Sequence, residues 1–230
     1  MTSRDPSPEE LRFAVLAADT VLLSIRDGVL YTRVIGVNRP PYYANAWGFP
    51  GGLIGPRETA DAAAVRHLAA KSHVAVEKPY VEQLYTFSAI DRDKRGRVVA
   101  VAYLALVPWE QLSTEEREDT ADAKWVPVAT LKGLAYDHDE MLKLARARLA
   151  SRITYTTLIG KLMPSEFTLT ELEQSYEAIL KTKLDKRNFR KKILKLGILK
   201  ALNKKRKAGR SRPAELYRFA SSTVKDIEVL

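Results

Sequence analysis

Apolar residues near the start of the chain fall in two runs, 13–25 and 29–37, and both runs predict β-strands. Asp27-Gly28 separates them, and this dipeptide accepts the positive φ angles that a tight hairpin turn needs. Later apolar runs predict strands at 81–90, 98–107 and 124–127, and helical patterns fall at 59–73 and 139–152. Polar stretches predict loops at 38–46 and 113–122 and a linker at 152–164. Strands and helices in this order predict a mixed sheet between helices.

The last third of the chain has a different pattern. Thr168 and Glu171 form a capping box, which predicts a helix start, and Asp185 can cap a second helix at 186–196. Both helices have an apolar inner face, and the second is otherwise crowded with basic residues. Apolar runs at 198–202 and 216–219 predict a hairpin with a basic tip. This order predicts a winged helix whose second helix enters the major groove of duplex DNA.

Charge changes the picture in the same region. The net charge is +10, and residues 151–230 hold 19 lysine and arginine residues against 8 acidic residues. Such asymmetry favours a polyanion as the partner of this segment. There is no cysteine, which excludes disulfides and thiolate metal sites. Because no apolar signal core and no apolar run of membrane-spanning length is present, we expect a cytoplasmic protein without a membrane partner.

A glycine turn leads into the first helix and carries the candidate chemistry. Gly52, Glu58, Arg66, Leu68 and Val74 match the spacing of the Nudix box, and the chain resembles Nudix proteins over this strand, loop and helix. The resemblance implies an α/β/α sandwich with a pocket for a nucleoside diphosphate. The expected fold class is therefore α+β, with a Nudix-like sandwich of mixed sheet followed by a winged helix-turn-helix domain.

The same box departs from the family pattern where the metal would bind. Two consecutive glutamates are replaced by Ala70 and Lys71, and Asp61 is the only acidic residue between 59 and 73. Since Mg²⁺ and Mn²⁺ prefer carboxylate oxygens, we expect no metal site, no catalytic residue and no hydrolysis. The predicted pocket keeps its shape for binding alone. Its candidate ligand-binding residues are Arg39, Trp47, Gly51, Gly52, Arg57, Glu58, Arg66 and Lys71.

The histidines offer a weaker signal. A stretch similar to 134–138 occupies the same place in Nudix-like transcriptional regulators, where it would contribute to the pocket or form a hinge. The preferred interpretation is that Asp137 or Asp139 caps the following helix and that His138 packs on it. His67 and His73 are predicted to be surface residues, and no metal-ligand spacing joins the three histidines.

A Nudix-like domain at 1–152 joined to a winged helix at 153–230 resembles the Nudix-related transcriptional regulators of NAD metabolism, the NrtR family. Residues 184–194 are similar to the family's recognition helix, and 209–217 are similar to its wing. Either Ser211 and Arg212 are inserted in the wing motif or Ser211 replaces its glycine. The candidate DNA-binding residues are Lys186, Arg187, Asn188, Arg190, Lys191, Lys204, Arg206, Lys207, Arg210 and Arg212.

The family resemblance implies a repressor that senses ADP-ribose or a related NAD metabolite, as an effector and not as a cofactor. It also implies a homodimer on a palindromic operator. Three alternatives stay open: a sugar-responsive regulator of the arabinose type, an active nucleoside-diphosphate hydrolase with a basic tail, and a protein scaffold. A phosphate-free sugar would make little use of Arg66 and Lys71.

Overall fold

A seven-stranded mixed sheet forms the first part of the chain. The structure is a computed structural model that describes residues 14–75, 79–207 and 213–227. Its central strand β1 pairs antiparallel with β2 and β4 and parallel with β6, and the main strand order is β3-β2-β1-β6-β5. The seventh strand, β7, pairs with β2. The strands are β1 (Val15–Arg26), β2 (Val29–Arg39), β3 (Tyr43–Gly48), β4 (Gly51–Leu53), β5 (Tyr80–Phe87), β6 (Val98–Leu106) and β7 (Ala123–Pro127).

Helices cover both faces of this sheet. They are α1 (Ala60–Ser72), the short α2 (Thr114–Arg117) and α3 (His138–Tyr155). Neighbouring side chains of a strand point to opposite faces. Accordingly, Tyr103 of β6 packs with Ala63 of α1, whereas the adjacent Ala102 joins the core that includes Met141 of α3. The predicted sandwich of a mixed sheet between helices is confirmed.

Two predicted loops contain regular structure. β2 continues to Arg39 and β3 begins at Tyr43, and these two residues are paired across the strands, so the loop predicted at 38–46 shrinks to three residues. Within 113–122, the Ser113 hydroxyl accepts from the Glu116 N–H and the Glu116 carboxylate accepts from the Ser113 N–H. This capping box stabilises α2 where the acidic composition indicated only a surface loop.

The linker predicted at 152–164 is wrong. α3 continues to Tyr155, and a 3₁₀ turn follows at Thr157–Lys161. Leu158 and Ile159 of this turn are fully buried in the main core, which holds the segment in a fixed conformation. A domain boundary between residues 152 and 153 would therefore fall inside a helix.

The last part of the chain is a winged helix. It comprises β8 (Phe167–Thr168), α4 (Leu169–Leu180), α5 (Lys186–Lys195), β9 (Leu199–Arg206) and β10 (Ala214–Phe219). The strands form an antiparallel sheet in the order β8-β10-β9. Thr168 and Asp185 cap the two helices as predicted. β9 extends four residues beyond the predicted strand, so part of the predicted basic loop is strand. The predicted wing residues at 209–212, and both readings of the wing motif, lie outside the described residues.

One apolar core joins the two parts. Val21 of β1, Met141 of α3 and Tyr176 of α4 belong to the same cluster of buried residues. The hairpin turn Asp27-Gly28, with φ angles of 51° and 70°, lies beside Gln174 of α4. Within 14–75, 79–207 and 213–227, no helix is both long and apolar enough to cross a membrane.

Candidate functional site

A cavity of about 570 Å³ opens between α1, β4, the end of β2 and the loop before β6. Its lining combines five cationic side chains with two carboxylates. The cations are Arg39, Arg66, Lys71, Arg92 and Arg95, and the carboxylates are Asp19 and Asp93. This excess of positive charge suits an anionic ligand, because a partly enclosed site strengthens the attraction between opposite charges.

The two box glycines permit β4 to pass close to its neighbours. A Cβ atom on Gly51 would lie 1.8 Å from Oδ1 of Asp19, and one on Gly52 would lie 2.6 Å from Cε1 of His67. Both distances are far below van der Waals contact. The glycines therefore let β4 pair with β1 and let its backbone line the cavity.

Glu58 and Arg66 hold each other at the cavity wall. Nε of Arg66 donates to Oε2 of Glu58 at 3.0 Å, and a second guanidinium nitrogen bonds to the other carboxylate oxygen. The Gly55 N–H also donates to this carboxylate, at 2.6 Å. The bond from Arg66, reinforced by that from Gly55, lowers the pKa of Glu58 to about 2. Glu58 lies outside the cavity lining, and it orients Arg66, which lies within the lining.

Lys71 lies where the Nudix box has a metal-binding glutamate. Its ammonium donates to the carbonyl oxygen of Gly51. Burial lowers the pKa of Lys71, an effect that Asp19 opposes and that Arg39 and Arg66 reinforce. In the part of the chain that the structure describes, no group of three or more acidic or histidine side chains could hold a metal ion. These residues do not fit the divalent cation of the Nudix reaction.

A buried network that the sequence did not predict forms one side of the cavity. Arg92 donates two hydrogen bonds to the carboxylate of Asp137, at 2.8 and 2.6 Å, and lies 3.7 Å from that of Asp19. Nδ1 of His138 accepts the Phe49 N–H at 2.9 Å, which leaves its Nε2 facing Asp19 at 3.8 Å. These contacts connect the first turn of α3 to the cavity.

The preferred interpretation of 134–138 needs correction. Asp137 occupies the N-cap position of α3, but its side chain makes no capping hydrogen bond and binds Arg92 instead. Asp139 accepts from the N–H groups of Gly133 and Leu134, which steadies the preceding turn. His138 is buried and also lines the cavity.

Other predictions for the cavity were wrong in place. His67, predicted at the surface, is only 8% exposed, and its Nε2 donates to the Leu53 carbonyl at 2.9 Å. Trp47 and Arg57 are not among the residues that line the cavity. The Trp47 ring instead lies 3.9 Å from the Lys124 ammonium. His73 is exposed near Asp122, as predicted.

The second helix of the winged helix presents a basic surface. Phe189 and Ile193 are buried against the core, and Phe189 meets Tyr176 edge to face at 5.2 Å. With these two residues facing inward, the predicted DNA-binding residues Lys186, Arg187, Asn188 and Lys191 are exposed on α5.

Three predicted DNA-binding residues are held by other parts of the winged helix. Arg190 donates to the Thr170 hydroxyl at 2.8 Å and lies 3.7 Å from Glu173. Lys204 donates to Glu166 at 3.1 Å, and Arg206 donates to Glu171 at 2.8 Å. Lys207 is exposed, whereas the predicted contacts Arg210 and Arg212 lie outside the described residues.

Comparison with known proteins identifies both parts. The sequence model of the NUDIX domain matches residues 15–145, and that of the NrtR DNA-binding winged helix domain matches residues 159–219. The ADPR responsive transcriptional repressor NtrR of Acinetobacter baylyi is 33% identical over 218 residues, which cover 94% of this chain and 83% of that protein. The chain belongs to the NrtR family.

Solved NrtR structures agree with this assignment. The structure of Shewanella oneidensis NrtR complexed with a 27mer DNA superposes with a TM-score of 0.78 at 32% identity, covering 89% of this chain and 93% of that one. The NUDIX domain of the same protein complexed with ADP ribose superposes with a TM-score of 0.52 at 33% identity, covering 63% and 94% of the two chains. The predicted NrtR architecture, a Nudix domain followed by a winged helix, is confirmed.

Proposed function

We propose that the protein is a transcriptional repressor that binds duplex DNA through its winged helix and senses ADP-ribose or a related NAD-derived diphosphate. The observation that carries this proposal is the cationic cavity beneath the Gly51-Gly52 strand. Its NrtR relatives include an ADPR responsive repressor and a NUDIX domain crystallised with ADP ribose. The same ligand class suits a cavity lined by three cations that have no buried carboxylate partner as close as that of Arg92, namely Arg39, Arg66 and Lys71.

The effector would bind without being hydrolysed. Hydrolysis of a diphosphate by a Nudix enzyme relies on a bound cation that activates water. Here the Lys71 ammonium bonds to Gly51 at the metal-ligand position, and the Glu58 carboxylate is committed to Arg66. A fixed ammonium attracts a phosphate, but it does not position a metal-bound hydroxide. The cavity residues therefore favour a sensor over an enzyme.

Residues 1–152 would form the effector-binding domain and residues 153–230 the DNA-binding domain of a cytoplasmic homodimer. In each copy, α5 would enter the major groove, where Arg187 and Asn188 can reach base edges. Lys186, Lys191 and Lys207 would lie near phosphates. Two copies related by a twofold axis would read a palindromic operator.

Fluorescence anisotropy with duplex DNA from upstream of the protein's own gene tests the regulator. We expect salt-dependent binding to this DNA, and we expect ADP-ribose to change its affinity at constant ionic strength. Arabinose is the matched phosphate-free effector and should change nothing. A response to arabinose alone would favour the sugar-responsive alternative, and no duplex binding at any salt would favour a scaffold.

A separate assay tests the absence of hydrolysis. ADP-ribose is incubated with the protein and Mg²⁺ or Mn²⁺, and the release of AMP and ribose phosphate is measured. We expect no release above the rate of an Arg66→Ala variant, which removes the partner of Glu58. Release by the unaltered protein at an ordinary enzymatic rate would contradict the sensor assignment.

A further inference from the structure

Acidic residues at the start of α4 hold basic residues of the wing strand β9. Nη1 of Arg206 donates to the Glu171 carboxylate at 2.8 Å, and Nη2 donates to the backbone carbonyl of Glu166 at 2.9 Å. The ammonium of Lys204, two residues earlier and on the same face of β9, donates to the Glu166 side chain at 3.1 Å. Both cations of this face of β9 are thus engaged by the segment 166–171.

The arginine reaches this segment across the middle strand of the sheet. In the order β8-β10-β9, the strand β10 separates Arg206 from β8 and from the start of α4. The residue of β10 paired with Arg206 is Ala214. Paired residues of antiparallel strands point to the same face. The small side chain of Ala214 therefore leaves room for the guanidinium to pass over β10.

Glu171 serves two structures with one carboxylate. Oε2 accepts the Thr168 N–H at 2.6 Å, which completes the capping box of α4, and Oε1 accepts from Arg206. The helix that carries this carboxylate also packs against α5, where Tyr176 meets Phe189. The bond between Glu171 and Arg206 consequently fixes the wing relative to the helix that supports α5.

We propose that Glu171 and Arg206 are positioning residues for DNA binding: their ion pair fixes the wing in register with α5, and Arg206 makes no phosphate contact. This inference rests on the proposed DNA-binding function. A wing held in place before binding loses less conformational freedom on association, which raises affinity. The pair also offsets the repulsion between a basic wing and a basic recognition helix.

The sign of the effect of Glu171→Gln separates positioning from simple charge. Glutamine keeps one acceptor oxygen, so it can accept from Thr168 or from Arg206 but not from both. Positioning predicts weaker operator binding, by roughly two- to fivefold, as for loss of a partly exposed ion pair. Simple electrostatics predicts the reverse, because removing a negative charge near DNA and releasing Arg206 would strengthen binding.

The matched control removes a carboxylate from the same sheet without breaking a contact. Among the described residues, Glu215 on β10, paired in register with Lys205, has no hydrogen bond or ion pair. Glu215→Gln should leave affinity unchanged or slightly raised. Thermal unfolding of each variant checks that α4 remains folded, since Gln is accepted at this position of a capping box.

Arg206→Lys gives an independent test. A lysine keeps the charge but loses the planar fork that holds a carboxylate and a carbonyl together. Positioning predicts that Arg206→Lys and Arg206→Ala weaken operator binding alike, with an unchanged slope of log affinity against log salt. A phosphate contact would be rescued by lysine, and its loss in Arg206→Ala would reduce that slope by about 0.9.

Anisotropy titrations of operator DNA at several salt concentrations measure all four variants. Weaker binding by Glu171→Gln and Arg206→Lys, with Glu215→Gln unaffected, is the expected result. Tighter binding by Glu171→Gln, or rescue by lysine, would overturn the positioning role while leaving DNA binding intact. Absence of duplex binding by the unaltered protein would instead overturn the proposed function, and this inference with it.

Discussion

Lys71 determines what the cavity can hold at the scale of a single residue. Its ammonium donates to the Gly51 carbonyl, and burial lowers its pKa. A diphosphate bound nearby would favour the charged form and raise that pKa again. Binding would therefore take up a proton near the lowered pKa, and affinity should fall as the pH rises through it.

We expect Lys71→Ala to weaken ADP-ribose binding about ten- to a hundredfold, the range for losing a charged hydrogen bond. The variant should also lose the fall in affinity at high pH that the unaltered protein shows. Calorimetric titrations at several pH values measure both effects. Lys143→Ala, on the exposed face of α3, is the control and should bind normally. Equal weakening by the two variants would contradict a specific role for Lys71.

The Glu58–Arg66 pair makes stability depend on pH. The pKa of Glu58 is lowered from 4.5 to about 2, chiefly by the bond from Arg66. A carboxyl group with a lowered pKa stabilises the fold above its unfolded pKa and loses that contribution as the pH falls toward its folded pKa. We expect Glu58→Gln to lower the Tm at neutral pH, with a difference that shrinks between about pH 4.5 and about pH 2. A calorimetric difference that stays constant over this window would show that the pair is not its source.

The sequence predicted part of the cavity because part of it is local. Gly51, Gly52, Arg66 and Lys71 lie within one turn and helix, where spacing alone indicates their arrangement. Asp19 and the residues of the Arg92 network come from three distant segments, and only strand pairing and the packing of α3 bring them together. No local pattern distinguishes the loop before β6 from an ordinary polar turn.

At the scale of whole elements, α5 shows both the strength and the limit of periodicity. The apolar positions Phe189 and Ile193 predicted the buried face, and the structure confirms it. Arg190 lies at the flank of that face, and its long side chain folds back to Thr170 on α4. Helical spacing gives the direction of a Cα–Cβ bond, but it does not give the partner that a flexible side chain finds.

We therefore expect different effects from two neighbouring arginines. Arg187→Ala should cost roughly 1–3 kcal/mol of operator binding and little binding to random duplex, as for loss of a base contact. Its Tm should be unchanged, because Arg187 is exposed. Arg190→Ala should lower the Tm by removing the contact between α4 and α5, and it should weaken both DNAs together. Anisotropy on both duplexes with parallel thermal unfolding makes the comparison. Identical profiles for the two variants would refute this division of roles.

The loop and linker predictions failed at this scale for a common physical reason. Prolines, tyrosines and charges at 38–46 indicated a loop, yet the pairing of Arg39 with Tyr43 extends both strands. At 152–164, the apolar side chains Leu158 and Ile159 were available to the core, and burial of such groups stabilises a segment that lacks strong helical periodicity. In both places, long-range contacts outweighed local preference.

On the scale of the whole molecule, the shared core is the physical link between effector and DNA. α3 begins at the cavity with His138 and Asp137 and ends beside the buried 3₁₀ turn that leads into the winged helix. A ligand in the cavity therefore acts on a helix whose far end packs in the same core as α4. Coupling of this kind requires that the two parts unfold as one unit.

Two probes can test this cooperativity separately. Trp47, Trp109 and Trp125 all lie in the first part, so their fluorescence reports only on that part. Hydrogen exchange of α4 amides reports on the winged helix. In urea, we expect the two probes to give coincident transitions. Leu158→Ala, at the buried junction, should shift both transitions together and cost about 2–5 kcal/mol.

Ligand linkage extends the same argument to the effector. ADP-ribose at a hundred times its Kd should stabilise the native state by about 2.7 kcal/mol, provided that it does not bind the unfolded chain. If the core is one cooperative unit, amides of α4 that exchange only by global unfolding should slow by about a hundredfold, although α4 does not line the cavity. In Lys71→Ala, which should bind the effector poorly, the same amides should not respond. Protection confined to α1 and β4 would mean that ligand stabilisation stops at the cavity, and another route to the winged helix would then be required.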